Sequence, residues 1–176
     1  MKIDKLFEHL LNEVSQDYSQ LTAEEIYDKG LKDPNFDFKK GLDSLITKDK
    51  TGEWVYRSGR DWKTFDYNKG LNDLLEKDKE GYYIFRAGKD WKTFDYNKGL
   101  DDLIEKDETG RYICFAGREW SNFDFKKGME VLEKIGGEYL KQAKETWPKS
   151  YPEKLKDVKD KYDENHIPGK RKKLKR

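Results

Sequence analysis

The chain has 176 residues, of which 41% are charged, 34% hydrophobic and 14% aromatic. This length is typical of one domain, and the 5 Trp, 11 Tyr and 9 Phe argue against disorder because each ring can bury a large area. The sequence has no long apolar run, no charged-then-apolar leader, one cysteine and two histidines, which argues against a membrane span, a secretory signal, a disulfide framework and a zinc site. We therefore expect a soluble, cytoplasmic protein that needs no cofactor.

Residues 1–21 are predicted to form an amphipathic N-terminal helix. Its apolar side chains recur at helical spacing: Ile3, Leu6, Phe7, Leu10, Leu11 and Val14. One interpretation is that this helix packs on the end of the segment that follows it. The alternative is that it docks into a groove of a partner protein.

Residues 22–135 consist of tandem repeats with a 29-residue period. The clearest marker is a phenylalanine followed by Asp and then by Phe or Tyr, at Phe36, Phe65, Phe94 and Phe123. The same step relates two glycine positions, one isoleucine or valine position, one leucine position and one leucine or methionine position of each unit. Three full units span 22–50, 51–79 and 80–108, and a fourth spans 109–135. A fixed period of this length is typical of stacked repeat proteins.

The second half of each unit is predicted to be a helix. An aspartate stands at each predicted N-cap, and apolar residues follow at helical spacing; the aspartates are Asp37, Asp66, Asp95 and Asp124. The first half is ambiguous, because 82–85 is aromatic and β-branched like a strand. In the first unit, however, Thr22 and Glu25 form a capping box before good helix formers, which favours a helix.

These patterns predict an all-α fold, a short α-solenoid of four 29-residue helix-turn-helix repeats with N- and C-terminal capping helices. The two glycines of each unit would each destabilise an isolated helix by about 1 kcal/mol, so we expect a compensating contact in which Gly on one helix faces an aromatic ring on the other.

Residues 136–163 are predicted to form a C-terminal helical cap, with a helix at 138–147 and a short charged helix at 152–163. Residues 164–176 form a basic tail. Six of its last seven residues are basic, so residues 1–169 contain 31 basic and 36 acidic side chains, a net charge of about −5.

The sequence carries no recognisable catalytic constellation. Asp73 beside Asn72 in the second unit and the pair Asp101 and Asp102 in the third stand at the same place of the helix and are interpreted as a solvated helix side. Cys114 stands in the register of Tyr27, Tyr56 and Phe85 and is expected to be buried. We therefore predict that the protein is not an enzyme.

Surface positions that recur at the same place in every unit are the best candidates for function. In a stacked array they form a line of side chains on one face, which suits a protein-binding adaptor. The predicted partner-binding residues are Arg57, Arg60, Arg86, Lys89 and Arg118. The other interpretation is that these side chains form ion pairs between neighbouring units, with Asp61, Asp90 and Glu119 as the acidic positions.

The alternative function is nucleic-acid binding through the basic tail, since a run of cations can contact phosphates by charge alone. Its predicted contact residues are Lys170, Arg171, Lys172, Lys173, Lys175 and Arg176.

The third unit reads Tyr-Ile-Phe-Arg-Ala-Gly-Lys-Asp-Trp at 83–91 and Phe-Asp-Tyr-Asn-Lys-Gly-Leu-Asp-Asp-Leu-Ile at 94–104. This cadence resembles the short tandem helical repeats found in uncharacterised proteins of tailed phages and giant viruses, and the resemblance covers about 22–135. The opening segment, 1–13, is similar to the short amphipathic N-termini of some phage capsid-associated proteins. The resemblance implies a phage or viral setting, in the host cytoplasm or the virion, and no catalytic residues.

Overall fold

The computed structural model describes residues 17–147. Across this range the chain is all-α, and nine helices are present without a strand. They are α1 (Ala23–Lys32), α2 (Phe38–Lys48), α3 (Glu53–Asp61), α4 (Tyr67–Lys77), α5 (Tyr82–Asp90), α6 (Tyr96–Lys106), α7 (Arg111–Glu119), α8 (Phe125–Ile135) and α9 (Gly137–Thr146). Residues 1–16 of the predicted N-terminal helix, the charged helix at 152–163 and the basic tail lie outside the described residues. Residues 17–21 are described and form a turn, so the prediction that the N-terminal helix extends to residue 21 is wrong.

The helices pack in two rows. The A helices, which are α1, α3, α5, α7 and α9, contact one another in chain order, and the B helices, which are α2, α4, α6 and α8, do the same. Residues 82–85 lie in helix α5, so the prediction of a helix at this position is confirmed and the strand alternative is wrong. The shared core between the rows includes the fully buried Val55, Ile84, Leu74 and Leu103.

The predicted helix starts are confirmed. Thr22 and Glu25 form the capping box of α1: the Glu25 N–H donates to Thr22 Oγ1 at 3.2 Å, and the Thr22 N–H donates to the Glu25 carboxylate at 2.8 Å. At the B helices, each predicted aspartate accepts a backbone N–H from the first turn, as in the 3.0 Å bond from Lys69 N to Asp66. These bonds satisfy amide groups that have no partner inside the helix.

A second set of aspartates joins the first three B helices to the A helices that follow them. Asp49, Asp78 and Asp107 follow the ends of α2, α4 and α6 and are 3%, 4% and 4% exposed. The Asp78 carboxylate accepts N–H bonds from Gly81 at 3.1 Å and from Ile84 at 2.9 Å. Helix α5 starts at a left-handed glycine that has no side chain for capping, so the upstream aspartate caps it instead.

Tryptophans hold each A helix against its neighbour. Trp91, at the end of α5, covers Gly59 of α3 so closely that a Cβ on Gly59 would lie 2.4 Å from the indole ring. Its Nε1–H donates to the Tyr56 carbonyl at 2.9 Å. The same arrangement occurs at three other pairs, Trp62 with Gly30, Trp120 with Gly88 and Trp147 with Gly117.

The glycines of the B helices are covered in the same way by the phenylalanine that precedes each helix; a Cβ on Gly70 would lie 2.4 Å from the Phe65 ring. The predicted pairing of glycine with an aromatic ring is therefore present. Its geometry differs from the prediction, because the rings lie at helix ends and in the connecting segments instead of in the middle of a facing helix.

The packing of the repeats continues past the end of the sequence period. Helix α9 contacts α7 as a further A helix, and Trp147 covers Gly117 and donates to the Cys114 carbonyl at 3.0 Å. The step from Trp120 to Trp147 carries a two-residue deletion relative to the period of the preceding units. This deletion hides the relationship from a search at fixed period. The helix predicted at 138–147 is confirmed with bounds at Gly137 and Thr146.

Candidate functional site

The five predicted partner-binding cations lie on three neighbouring A helices. We call this surface the A-face and define it by Arg57 and Arg60 on α3, Arg86 and Lys89 on α5, and Arg118 on α7. Their side chains are between 35% and 43% exposed. They are thus neither buried in the core nor fully surrounded by water.

Each A-face cation has a carboxylate near it. The closest nitrogen–oxygen distances are 2.7 Å for Arg57–Glu53, 2.7 Å for Arg60–Asp61, 2.9 Å for Arg86–Asp90, 2.8 Å for Lys89–Glu119 and 4.0 Å for Arg118–Glu119. Of these contacts, Lys89–Glu119 joins two units, and the other four lie within one unit. The predicted alternative of ion pairing between units is therefore met at Lys89, while the remaining pairs are local.

Aromatic rings beneath the guanidinium groups hold the A-face arginines in place. Arg57 lies over the Trp54 ring at 5.0 Å from its centroid, and Arg118 lies over the Phe115 ring at 4.8 Å. The Tyr56 ring is shared by Arg60 at 5.5 Å and Arg86 at 5.7 Å, from adjacent helices. These distances are within the range of cation–π attraction. The sequence analysis did not single out these rings. A spacing of three or four residues is a usable signal for the rings beneath Arg57, Arg60 and Arg118. The contact of Arg86 with Tyr56 joins two units and has no such local signal.

Tyrosine hydroxyls fix the carboxylates of the same surface. The Tyr27 hydroxyl donates to Asp61 at 2.7 Å, and the Tyr56 hydroxyl donates to Asp90. The Arg60 guanidinium lowers the pKa of Asp61, and hydrogen bonding to Asp61 raises the pKa of Arg60. Both groups stay ionised around neutral pH, so this part of the A-face keeps a fixed pattern of charge.

The carboxylates at the helical register of Asp73 differ from their prediction. The Asp73 side chain is 5% exposed and pairs with Lys77 at 2.7 Å, and the Asp102 side chain is 13% exposed and pairs with Lys106 at 2.8 Å. The interpretation of these two aspartates as a solvated helix side is wrong; Asp101 is exposed as expected. Burial raises the pKa of Asp73 and of Asp102, because it disfavours the charged form.

The buried aspartates Asp73 and Asp102 are paired with lysines that contact the preceding B helix. Lys77 Nζ donates to the Ile46 carbonyl at the end of α2, and Lys106 Nζ donates to the Leu75 carbonyl near the end of α4. A cation at a helix C-terminus stabilises its unpaired carbonyl groups. The aspartate on the preceding turn balances the lysine charge, so these pairs join neighbouring B helices.

Cys114 is fully buried, as predicted, and burial raises the pKa of its thiol. Between residues 17 and 147 there is no group of three or more His, Cys, Asp or Glu side chains that could hold a metal ion. The six tail residues predicted to contact nucleic acid lie outside this range.

Comparison with protein-family models, with curated protein sequences and with solved structures finds no match to this chain. In the part of the chain that the structure describes, every helix is too short or too polar to cross a membrane.

Proposed function

We propose that the protein is a non-enzymatic protein-interaction module, a short α-solenoid of four 29-residue helix-turn-helix units with capping helices at its ends, and that it binds a protein partner through the A-face. The observation that carries the proposal is the arrangement of arginines on aromatic rings. The arginines come from three neighbouring A helices, and the Tyr56 ring of α3 lies beneath both Arg60 of α3 and Arg86 of α5, so the surface continues from one helix to the next.

The chemistry of the A-face suits protein recognition. Arginine, tyrosine and tryptophan are enriched at protein–protein interfaces and among the residues that contribute most to binding. A guanidinium that already lies on a ring and is hydrogen-bonded to a carboxylate loses little conformational entropy when a partner binds. Arg57 and Arg60 keep 41% and 39% of their side-chain surface exposed, which leaves donors available to a partner.

The proposal is tested by charge reversal on the A-face with a matched control on the other row. The test variant changes three cations to Glu at equivalent positions of successive units: Arg60, Lys89 and Arg118. The control makes the same change at three B-helix lysines that are also equivalent to one another: Lys69, Lys98 and Lys127. Both variants shift the net charge equally, and the lysines of the control are paired with side chains of the preceding B helix.

Capture from the native host, followed by mass spectrometry, gives the readout. The wild-type chain and the B-helix control should recover the same specific protein, and the A-face variant should lose it while its circular dichroism remains helical. Equal recovery by both variants would contradict the A-face proposal. The resemblance to phage and giant-virus repeats points to an infected host or a virion preparation as the source.

A second candidate function rests on the tail. Six of residues 170–176 are Lys or Arg and none is acidic, so this segment can neutralise up to six phosphates. Binding to nucleic acid would then weaken steeply with salt, with a log–log slope of about −4 on single strands and about −5 on duplex. Deletion of 170–176 should abolish it. No binding by the full chain at low salt would contradict this candidate.

A further inference from the structure

Two neighbouring clefts open along the edge where B helices end and A helices begin. The first, of about 360 Å³, lies between the segments that follow α2 and α4 and is lined by the rings of Tyr82, Tyr83 and Tyr112. The second, of about 450 Å³, lies one unit further along and is lined by Tyr112 and Tyr139. Most of their lining positions are equivalent in successive units. Tyr112 forms a wall shared by both, so the clefts make one segmented groove.

Three of the cations that line the groove have no acidic partner, whereas Lys77 and Lys106 are paired with aspartates of their own helices. Lys50, Lys79 and Arg111 line the clefts and form no ion pair within residues 17–147. The carboxylates of Asp78 and Asp107 also line the clefts, but backbone N–H groups occupy them. Glu80 and Glu108 are the acidic side chains that remain at the rim.

The distance between the two clefts favours one backbone conformation of an extended peptide ligand. Packed helices lie about 8–10 Å apart, so equivalent points on α5 and α7 are separated by about that distance. One turn of a polyproline II helix contains three residues and advances about 9 Å. A β-strand advances about 6.6 Å for each pair of residues on one face, which does not match. A polyproline II segment would therefore place every third residue in successive clefts.

Hydrogen-bonding chemistry supports the same choice. The carbonyl groups of a polyproline II segment have no internal partners, whereas those of an α-helix are already hydrogen-bonded. Cationic donors at the rim complement these free carbonyl oxygens. Tyrosine rings provide flat apolar walls of the kind that bind proline side chains in known peptide-recognition grooves.

We propose that this groove binds a proline-rich segment of a partner protein in the polyproline II conformation, with every third residue in a cleft. The groove is separate from the A-face, since none of the five A-face cations lines either cleft. Its test is therefore independent of the A-face proposal.

The experiment measures fluorescence anisotropy of labelled peptides of about ten residues titrated with the full chain. One peptide has proline at every third position, a second has the same composition with proline at every second position so that no two prolines are three residues apart, and a third is a flexible Gly/Ser peptide. The first peptide should bind about tenfold more tightly than the second and the third. Absence of binding by the first peptide, or equal binding of all three, would overturn the proposal.

Three variants locate the bound peptide. Tyr112→Ala removes the shared wall and should weaken binding by about tenfold or more, and Tyr82→Ala should weaken it less because Tyr82 lines one cleft. Tyr67→Ala is the control, since Tyr67 is a partly buried tyrosine of α4 that lies outside both clefts and takes no part in the A-face. Should Tyr112→Ala fail to fold, Tyr82→Ala decides, because Tyr82 is 39% exposed. Equal affinity of the Tyr82 and Tyr67 variants for the first peptide would contradict the proposed groove.

Discussion

The contact between Gly59 and Trp91 predicts that adding one methyl group destabilises the protein. A Cβ at position 59 would lie 2.4 Å from the Trp91 ring. Carbon atoms in contact are normally about 3.5 Å apart, so in Gly59→Ala the indole must move by about 1 Å. The hydrogen bond from Trp91 Nε1 to the Tyr56 carbonyl, 2.9 Å long in the wild-type chain, would then lengthen or break.

The expected size of the effect follows from three contributions. Overpacking destabilises by about 1–3 kcal/mol. Loss of the hydrogen bond adds about 1 kcal/mol. The higher helix propensity of alanine offsets about 1 kcal/mol of this destabilisation. We expect the free energy of unfolding of Gly59→Ala to fall by about 2 kcal/mol.

Urea denaturation followed by circular dichroism measures this change, and the neighbouring Ser58 provides the control. The Ser58 hydroxyl is buried without a hydrogen-bond partner among the described residues, and the equivalent positions hold Ala87 and Ala116. Ser58→Ala should therefore raise the free energy of unfolding by about 1 kcal/mol. If Gly59→Ala proves as stable as the wild-type chain, the proposed role of the tryptophan in holding the A helices together is refuted.

Three further predictions concern buried polar groups. Asp78→Ala should lower the free energy of unfolding by about 2 kcal/mol in urea denaturation, because the Ile84 N–H loses its acceptor; a loss below about 0.5 kcal/mol would contradict this role. Tyr56→Phe should destabilise by about 1 kcal/mol through loss of its bond to a neighbouring carboxylate, whereas Tyr67→Phe, which removes a hydroxyl with no hydrogen bond among the described residues, should not. Burial raises the pKa of Asp73, so its carboxyl group stays protonated to higher pH in the native state than in the unfolded state. Through this group the wild-type chain therefore loses stability as the pH rises from about 4 to 7. Asp73→Asn lacks this titration and should gain stability relative to the wild type over the same range. Thermal unfolding at both pH values checks this, and a relative loss of stability on raising the pH would show that the sign is wrong.

Local signals in the sequence predicted the helices well. The capping box at Thr22 and Glu25 and the aspartates before each B helix depend on contacts between residues three positions apart or closer, which a sequence shows directly. The burial of Cys114 was also predictable, because Cys114 stands at the position that aromatic core residues occupy in the other units. The all-α class was therefore predictable without knowledge of how the units pack.

Contacts across units could not be predicted in the same way. The side chain of Asp73 is buried, and a helical register alone does not show which side of the helix is covered. The link between Asp78 and Ile84 requires the turn that brings a new helix back against the previous one. The sequence period did not show that α9 packs as a further A helix, because two residues are missing between Trp120 and Trp147 relative to the earlier units. The resemblance to phage and giant-virus repeats stays a prediction.

The position of a bound partner decides the A-face proposal. Hydrogen–deuterium exchange of the full chain, with and without the captured protein, reports which helices become protected on binding. We predict slower amide exchange in α3, α5 and α7, with unchanged exchange in α4, α6 and α8. Slower exchange in the B helices alone, or in any set of residues that excludes α3, α5 and α7, would contradict the proposal.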